Sequence, residues 1–263
     1  MTRKGIVSKK MSLAVIIVLS FSPLALAAEK LSTLELINIA GKQRMLSQRI
    51  AKDYLYKGGE IAVNKANKQL IRTLKESEHA HASLKSSIDK PRIVNLLEFV
   101  EMNNEDILTK TQEDFNIDNA QYVLDLSETM LEGNEYIMTS LSKLSSVEAS
   151  KLIDISARQG MLAQRIAKYY IAYQLGIKDK NTIKQMNSAV ESFTQNHKEL
   201  MSNKSNSSEI NKKFKRVDRL WKVVYKFYLD IQMGGLPLIV FNTSDEITSK
   251  MDEISSLYVD LKK

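Results

Sequence analysis

The chain has 263 residues, 43% apolar and 26% charged, with 9 Gly, 3 Pro and no Cys. So few breakers exclude an all-β sandwich or barrel, which needs a turn signal every eight to twelve residues or so. The absence of Cys excludes disulfides, thiolate metal sites, c-type haem attachment and cysteine nucleophiles. The formal charge of +7 includes four bases in residues 1–27 (Arg3, Lys4, Lys9, Lys10); the remaining 34 basic and 31 acidic residues are too evenly balanced to imply a nucleic-acid partner.

At the N-terminus Lys9-Lys10 precede an apolar run from Leu13 to Leu19, continued by Phe21 and Leu24. Ala25-Leu26-Ala27 then supplies the small-x-small pattern read by signal peptidase. The run is broken by Ser20, Ser22 and Pro23 and falls short of the roughly 20 residues of a spanning helix. Residues 1–27 are therefore expected to be a cleaved signal peptide, and the mature chain a soluble periplasmic protein.

The rest of the chain compares with itself. Residues 38–52, NIAGKQRMLSQRIAK, align with residues 154–168, DISARQGMLAQRIAK, at an offset of 116. The register continues gaplessly through Tyr54/Tyr170, Lys68-Gln69/Lys184-Gln185, His81/His197 and Leu84/Leu200. A tandem duplication is expected, with units 28–145 and 146–263.

Each unit reads as four helices, at about 31–57, 60–88, 91–113 and 118–144, then about 147–175, 180–202, 207–232 and 238–261. Gly58-Gly59, Pro91, Gly176 and Gly234-Gly235-Leu236-Pro237 mark breaks. Short loops predict an all-α fold of two tandem antiparallel four-helix bundle units. Between Met130 and Tyr170 nothing compels a break, so a continuous helix competes with a capping box at Ser145-Ser-Val-Glu148.

The repeated helix carries the candidate site. Ala40, Arg44, Ser47 and Ala51 form one stripe, with Gly41 and Gln48 beside it; the second copy has Ser156, Gly160, Ala163 and Ala167. Small side chains invite close helix approach, and a long cation among them breaks the local rule, as functional sites do. No carboxylate stands three or four residues from Arg44. Buried, its guanidinium needs a partner, and a planar oxyanion suits its fork of donors. An acid on another helix, or snorkelling into water, would serve equally. Arg49 has Asp53 at i+4 and reads as a surface pair. The second copy has Gly160 in place of Arg44, as though it kept the packing helix without the anion ligand.

The segment Asn38-Ile-Ala-Gly-Lys-Gln-Arg-Met-Leu-Ser-Gln-Arg-Ile resembles the first-helix signature of the PilJ-type sensory domain. That domain is the periplasmic N-terminal module of type IV pilus methyl-accepting chemotaxis transducers. The segment is also similar to the conserved box in the periplasmic domain of nitrate/nitrite sensor kinases. The resemblance implies two PilJ-like units and an anion ligand at Arg44, with Gly41 and Lys42 before it and Arg49 completing the box. In those kinases the anion lies between the first helices of a homodimer. Fold-back of the two units would instead give an intrachain pseudo-dimer with Arg44 facing Gly160, while end-to-end stacking would set Arg44 against its own copy in a homodimer.

The second unit departs, with Ala157, Gly160 and Ala163 for Gly41, Arg44 and Ser47. The family's sensors continue into a membrane helix and a signalling module, whereas this chain stops at Lys263, so output is expected to pass through a membrane receptor or kinase. The expected function is non-enzymatic sensing of a small, nitrate- or nitrite-like oxyanion through Arg44, Gly41, Lys42, Arg49, Gln48 and Gly160, without cofactor or metal. The alternative is a periplasmic adaptor or assembly protein with no small ligand, tied to type IV pili or chemotaxis. A carboxylate-free buried Arg44 favours the first, an inter-helix salt bridge the second. Other signals are weak. Glu76-Ser-Glu-His79 has no counterpart of the kind di-iron bundles require. His81 and His197 lie in polar stretches and read as solvated or second-layer. The cluster Trp221, Tyr225, Phe227 and Tyr228 reads as core.

Overall fold

A computed structural model describes residues 31–145 and 147–261, so the expected signal peptide lies outside the described residues. Among those residues there are eight α-helices and no strand: α1 (Thr33–Gly58), α2 (Val63–Ser87), α3 (Pro91–Gln112), α4 (Ile117–Ser142), α5 (Val147–Gln174), α6 (Lys180–Met201), α7 (Ser208–Leu229) and α8 (Pro237–Asp260). A 3-10 turn at Ile231–Met233 ends the seventh helix earlier than its periodicity implies.

Local chemistry sets these boundaries. Ser32 and Glu35 form a reciprocal capping box on α1, which satisfies two orphan amide donors. Asn116, Asp179 and Ser207 each accept an amide hydrogen bond at the start of α4, α6 and α7, and Pro91 and Pro237 open α3 and α8, where a missing N–H costs nothing. The second helix starts at Val63 because Glu60 and Ala62 take left-handed backbone (φ 58° and 52°). Between α4 and α5 the chain turns at Lys143–Ser145, so the continuous helix is not formed. The competing capping box pairs Ser145 with the Glu148 side chain, which lies outside the described residues.

All eight helices belong to one compact unit. α1 packs most extensively on α5, and α4 and α8 flank that pair. α2 covers α1, α3 covers α4, α6 covers α5 and α7 covers α8, whereas α2–α3 and α6–α7 touch only lightly. The core is one continuous cluster running from Leu36 to Val259, and each fully buried Leu or Ile in it contributes roughly 1.5–3 kcal/mol.

Corresponding helices bury corresponding positions. Ala66, Leu70, Ser77, His81 and Leu84 on α2 recur 116 residues later as Thr182, Met186, Phe193, His197 and Leu200 on α6. On α3, Ile93, Leu97, Val100, Ile107 and Thr111 recur 117 residues later as Ile210, Phe214, Val217, Val224 and Tyr228 on α7. The register therefore gains one residue in the 202–207 loop.

Candidate functional site

Small residues let α1 and α5 meet closely. A Cβ built on Gly41 would lie 2.6 Å from the Ala157 Cβ, the residue that aligns with it at offset 116. The void beside this contact, lined by Gly41, Lys42, Ala157 and Gly160 among others, holds only about 10 Å³, room for one water at most. Gly160 turns toward Thr248 and Met251 of α8. The expected pairing of Arg44 with Gly160 is therefore corrected: Gly41 faces Ala157, and Gly160 packs against α8.

Arg44 is fully buried. Its Nη1 donates to Glu135 Oε2 of α4 at 2.8 Å and its Nη2 to Asp154 Oδ1 of α5 at 2.6 Å. Arg158 also donates to Glu135, so two guanidinium groups and two carboxylates close a neutral knot over three helices. Burial pulls the Arg44 pKa down, but Asp154 and Glu135 outweigh it and hold it above the ordinary value. Burial pushes the Glu135 carboxyl up, and Arg44 and Arg158 hold it below its usual range. The guanidinium face expected to meet an oxyanion already carries carboxylates.

Two further buried cations bridge the halves in matching fashion. Lys52 Nζ of α1 reaches Asp245 Oδ1 of α8 at 2.5 Å, and Lys168 Nζ of α5 reaches Glu128 Oε1 of α4 at 2.5 Å. Arg165 joins the second pair, and Glu128 is held down to about 2: burial pushes it up, and Lys168 and Arg165 more than reverse that. Glutamines fix the neighbouring helices in the same pattern. Gln43 and Gln159 donate to the Ser77 and Phe193 carbonyls, and Gln48 and Gln164 to those of Ser127 and Ser244. Gln48 is thus a buried packing residue.

Arg49 behaves differently from the surface residue expected. It is only 7% exposed, and its Nε has no hydrogen-bond partner. The i+4 hydrogen bond with Asp53 does not form: both Asp53 carboxylate oxygens lack a hydrogen-bond partner, with Lys52 Nζ 3.3 Å away in full burial. Burial raises the Asp53 carboxyl to about 7 against the pull of Lys52 and Arg49. Arg49 instead lines a cleft of about 880 Å³ between α1, α2 and α8, with Lys42, Lys65, Lys68 and Arg72 around it. Three acids, Glu76, Asp245 and Asp252, share the lining. Glu76 is engaged by Lys42 at 3.8 Å and Arg72 at 3.4 Å, and Asp245 by Lys52 and Lys65. The cleft brings Lys42 and Arg49 together and leaves Arg44, Gly41, Gln48 and Gly160 outside its lining.

Sequence reasoning misses Asp154, Glu135, Lys52, Lys168, Glu128 and Asp245. One signal points to the first of them: the second box begins with Asp154 where the first has Asn38, the one acid introduced into the motif. Another is Lys52/Lys168, kept in both copies next to Ile-Ala. His81 and His197 are also corrected. They are 5% and 4% exposed with no hydrogen bond to any of the four ring nitrogens, because each sits on the inward face of a helix whose other faces are polar.

Residues 26–112, spanning α1 to α3, match the PilJ family, described as the type IV pili methyl-accepting chemotaxis transducer N-terminal domain. That stretch, about a third of the chain, is similar to the PilJ sensory domain, whose family is non-catalytic; a second copy is not detected. No curated protein and no solved structure matches the chain.

Proposed function

We propose that the protein is an exported, non-catalytic sensory module that binds a small oxyanion of the nitrate or nitrite class in the α1–α2–α8 cleft and passes its occupancy to a membrane receptor or kinase. The observation that carries this reading is Arg49: a buried guanidinium with an unpartnered Nε, on the wall of a cleft with four further cations. A charge so placed is stabilised by an anion that accepts from its planar fork. Lys42 and Lys68 supply the remaining donors. Because the cleft is formed by helices from both halves, an anion there would bear on how the halves sit together. The halves are read as a duplicated pair of four-helix units forming an intrachain pseudo-dimer, supported by the matching contacts at offsets 116 and 117.

A second reading, a helical adaptor or assembly protein without a small ligand, is favoured by the carboxylates that occupy Arg44. Thermal melts decide between them. The mature protein is titrated with nitrate, nitrite, chloride, sulfate and formate at matched ionic strength, alongside Arg49→Ala and Arg44→Met. An anion at a hundred times its Kd adds about 2.7 kcal/mol, a rise of roughly 5–10 °C for a chain of this size. The rise should vanish in Arg49→Ala and survive in Arg44→Met. Its disappearance in Arg44→Met alone would return the site to Arg44; no rise in wild type would leave the adaptor reading.

A further inference from the structure

The outer helices of the two halves differ in one respect that the shared register makes legible. On the α6–α7 side, Phe193 stacks on Trp221 with ring centroids 4.1 Å apart, and Trp221 packs at 5.7 Å on Tyr225 and 5.6 Å on Tyr228. The same positions on the α2–α3 side, 116 or 117 residues earlier, hold Ser77, Asn104, Leu108 and Thr111. Four aromatic side chains are thus replaced by much smaller ones in an otherwise corresponding frame.

The space does not collapse. Ser77, Asn104, Leu108 and Thr111 all line a cavity of about 810 Å³ between α2 and α3, within the size range of small-molecule pockets. On the other side a groove of about 550 Å³ remains between α6 and α7, but Phe193, Trp221 and Tyr228 are not on its walls. Leu70 and Leu74 add apolar wall to the larger cavity. His81 also lines it, 5% exposed with both ring nitrogens unpartnered. Its counterpart His197 is instead stacked against Phe193 at 5.8 Å and meets Phe214 edge-on at 5.9 Å. A buried imidazole left without partners at a cavity wall carries a desolvation cost that a ligand hydrogen bond would relieve.

We infer that the α2–α3 cavity is a binding site for a neutral, planar aromatic or heteroaromatic small molecule, whose ring occupies the volume that Phe193 and Trp221 fill in the other half and whose polar edge hydrogen-bonds His81 and Asn104. The ligand is neutral because the rim charges cancel, with Lys57, Lys75 and Lys85 against Glu78, Glu101 and Glu105. The inference is independent of the oxyanion reading: the two cavities share no lining residue.

The test uses indole, the group Trp221 supplies on the filled side, with 5-fluoroindole as a fluorine-NMR reporter. Wild type should bind it saturably and with a 1:1 endpoint, and excess nitrate should not displace it. The paired change Ser77→Phe with Asn104→Trp, which copies the filled side, should weaken binding at least tenfold. Leu74→Trp gives a second, single-site block should the pair fail to fold. A cooperative thermal melt read by far-ultraviolet circular dichroism reports whether wild type and each blocked variant are folded. Absence of saturable binding to folded wild type would overturn the inference, as would undiminished binding in the folded blocked variants.

Discussion

Replacing Arg44 tests whether the guanidinium knot holds the two halves together. Its side chain is fully buried, while Glu135 and Asp154 keep 34% and 28% side-chain exposure. Removing one partner of a buried pair costs about 3–5 kcal/mol when the other is stranded. Here the stranded carboxylates can rehydrate, and Glu135 retains Arg158, so the electrostatic part falls to about 2 kcal/mol. Removal of the buried aliphatic stem adds about 1 kcal/mol. Arg44→Ala should therefore cost about 3 kcal/mol, a fall of about 6–12 °C in Tm for a chain of this size. Arg44→Met keeps the stem and should recover about a third of that loss. Urea and thermal unfolding at pH 7 read both, and a cycle with Glu135→Gln should show coupling of about 1 kcal/mol or more. A loss under about 1 kcal/mol for Arg44→Ala, or no coupling, would refute the view that the knot stabilises the α1–α4–α5 junction.

Gly41 and Gly160 should respond oppositely to substitution. Gly41→Val collides with Ala157 and should cost about 1–3 kcal/mol, whereas Gly160→Ala meets nothing nearer than 3.5 Å and should gain up to about 1 kcal/mol from helix propensity; melts of both variants check the contrast. His197 is held below its ordinary pKa by burial against the pull of Asp218. The unfolded chain therefore takes up protons first, and stability falls as pH drops through about 6.5. In His197→Phe that part of the fall between pH 7 and 5 should disappear, and parallel profiles for variant and wild type would contradict it. Asp53 works the other way: with its carboxyl raised from 3.8 to about 7, stability declines as pH rises through that window, and Asp53→Asn should flatten the decline. Lys168→Ala removes one of the two cations on Glu128, which keeps Arg165, and empties the space of a fully buried stem; it should cost about 3 kcal/mol, more than the apolar replacement Lys168→Met, read by urea unfolding.

The sequence alone determined that the chain is all-α and where most helices begin and end. Those features depend on spacing within one segment: the helical period of Leu36, Ile50 and their neighbours, the caps at Ser32 and Asp179, and the breakers at Gly176 and Pro237. It also located the repeated helix and its small-residue stripe, whose close approach Gly41 and Ala157 bear out. The tertiary structure decided which charges meet. Arg44 finds Asp154 across 110 residues and Glu135 across 91, and Lys52 finds Asp245 across 193. Such pairings follow from how α1 lies on α5, which no local pattern encodes. The same packing set Asp53 inward beside Lys52 and left Arg49 on the cleft wall with its Nε unpartnered. It also set Ser77 and Asn104 opposite each other where Phe193 and Trp221 meet in the second half. A cavity is a property of two helices at a fixed distance, and only the folded chain sets that distance.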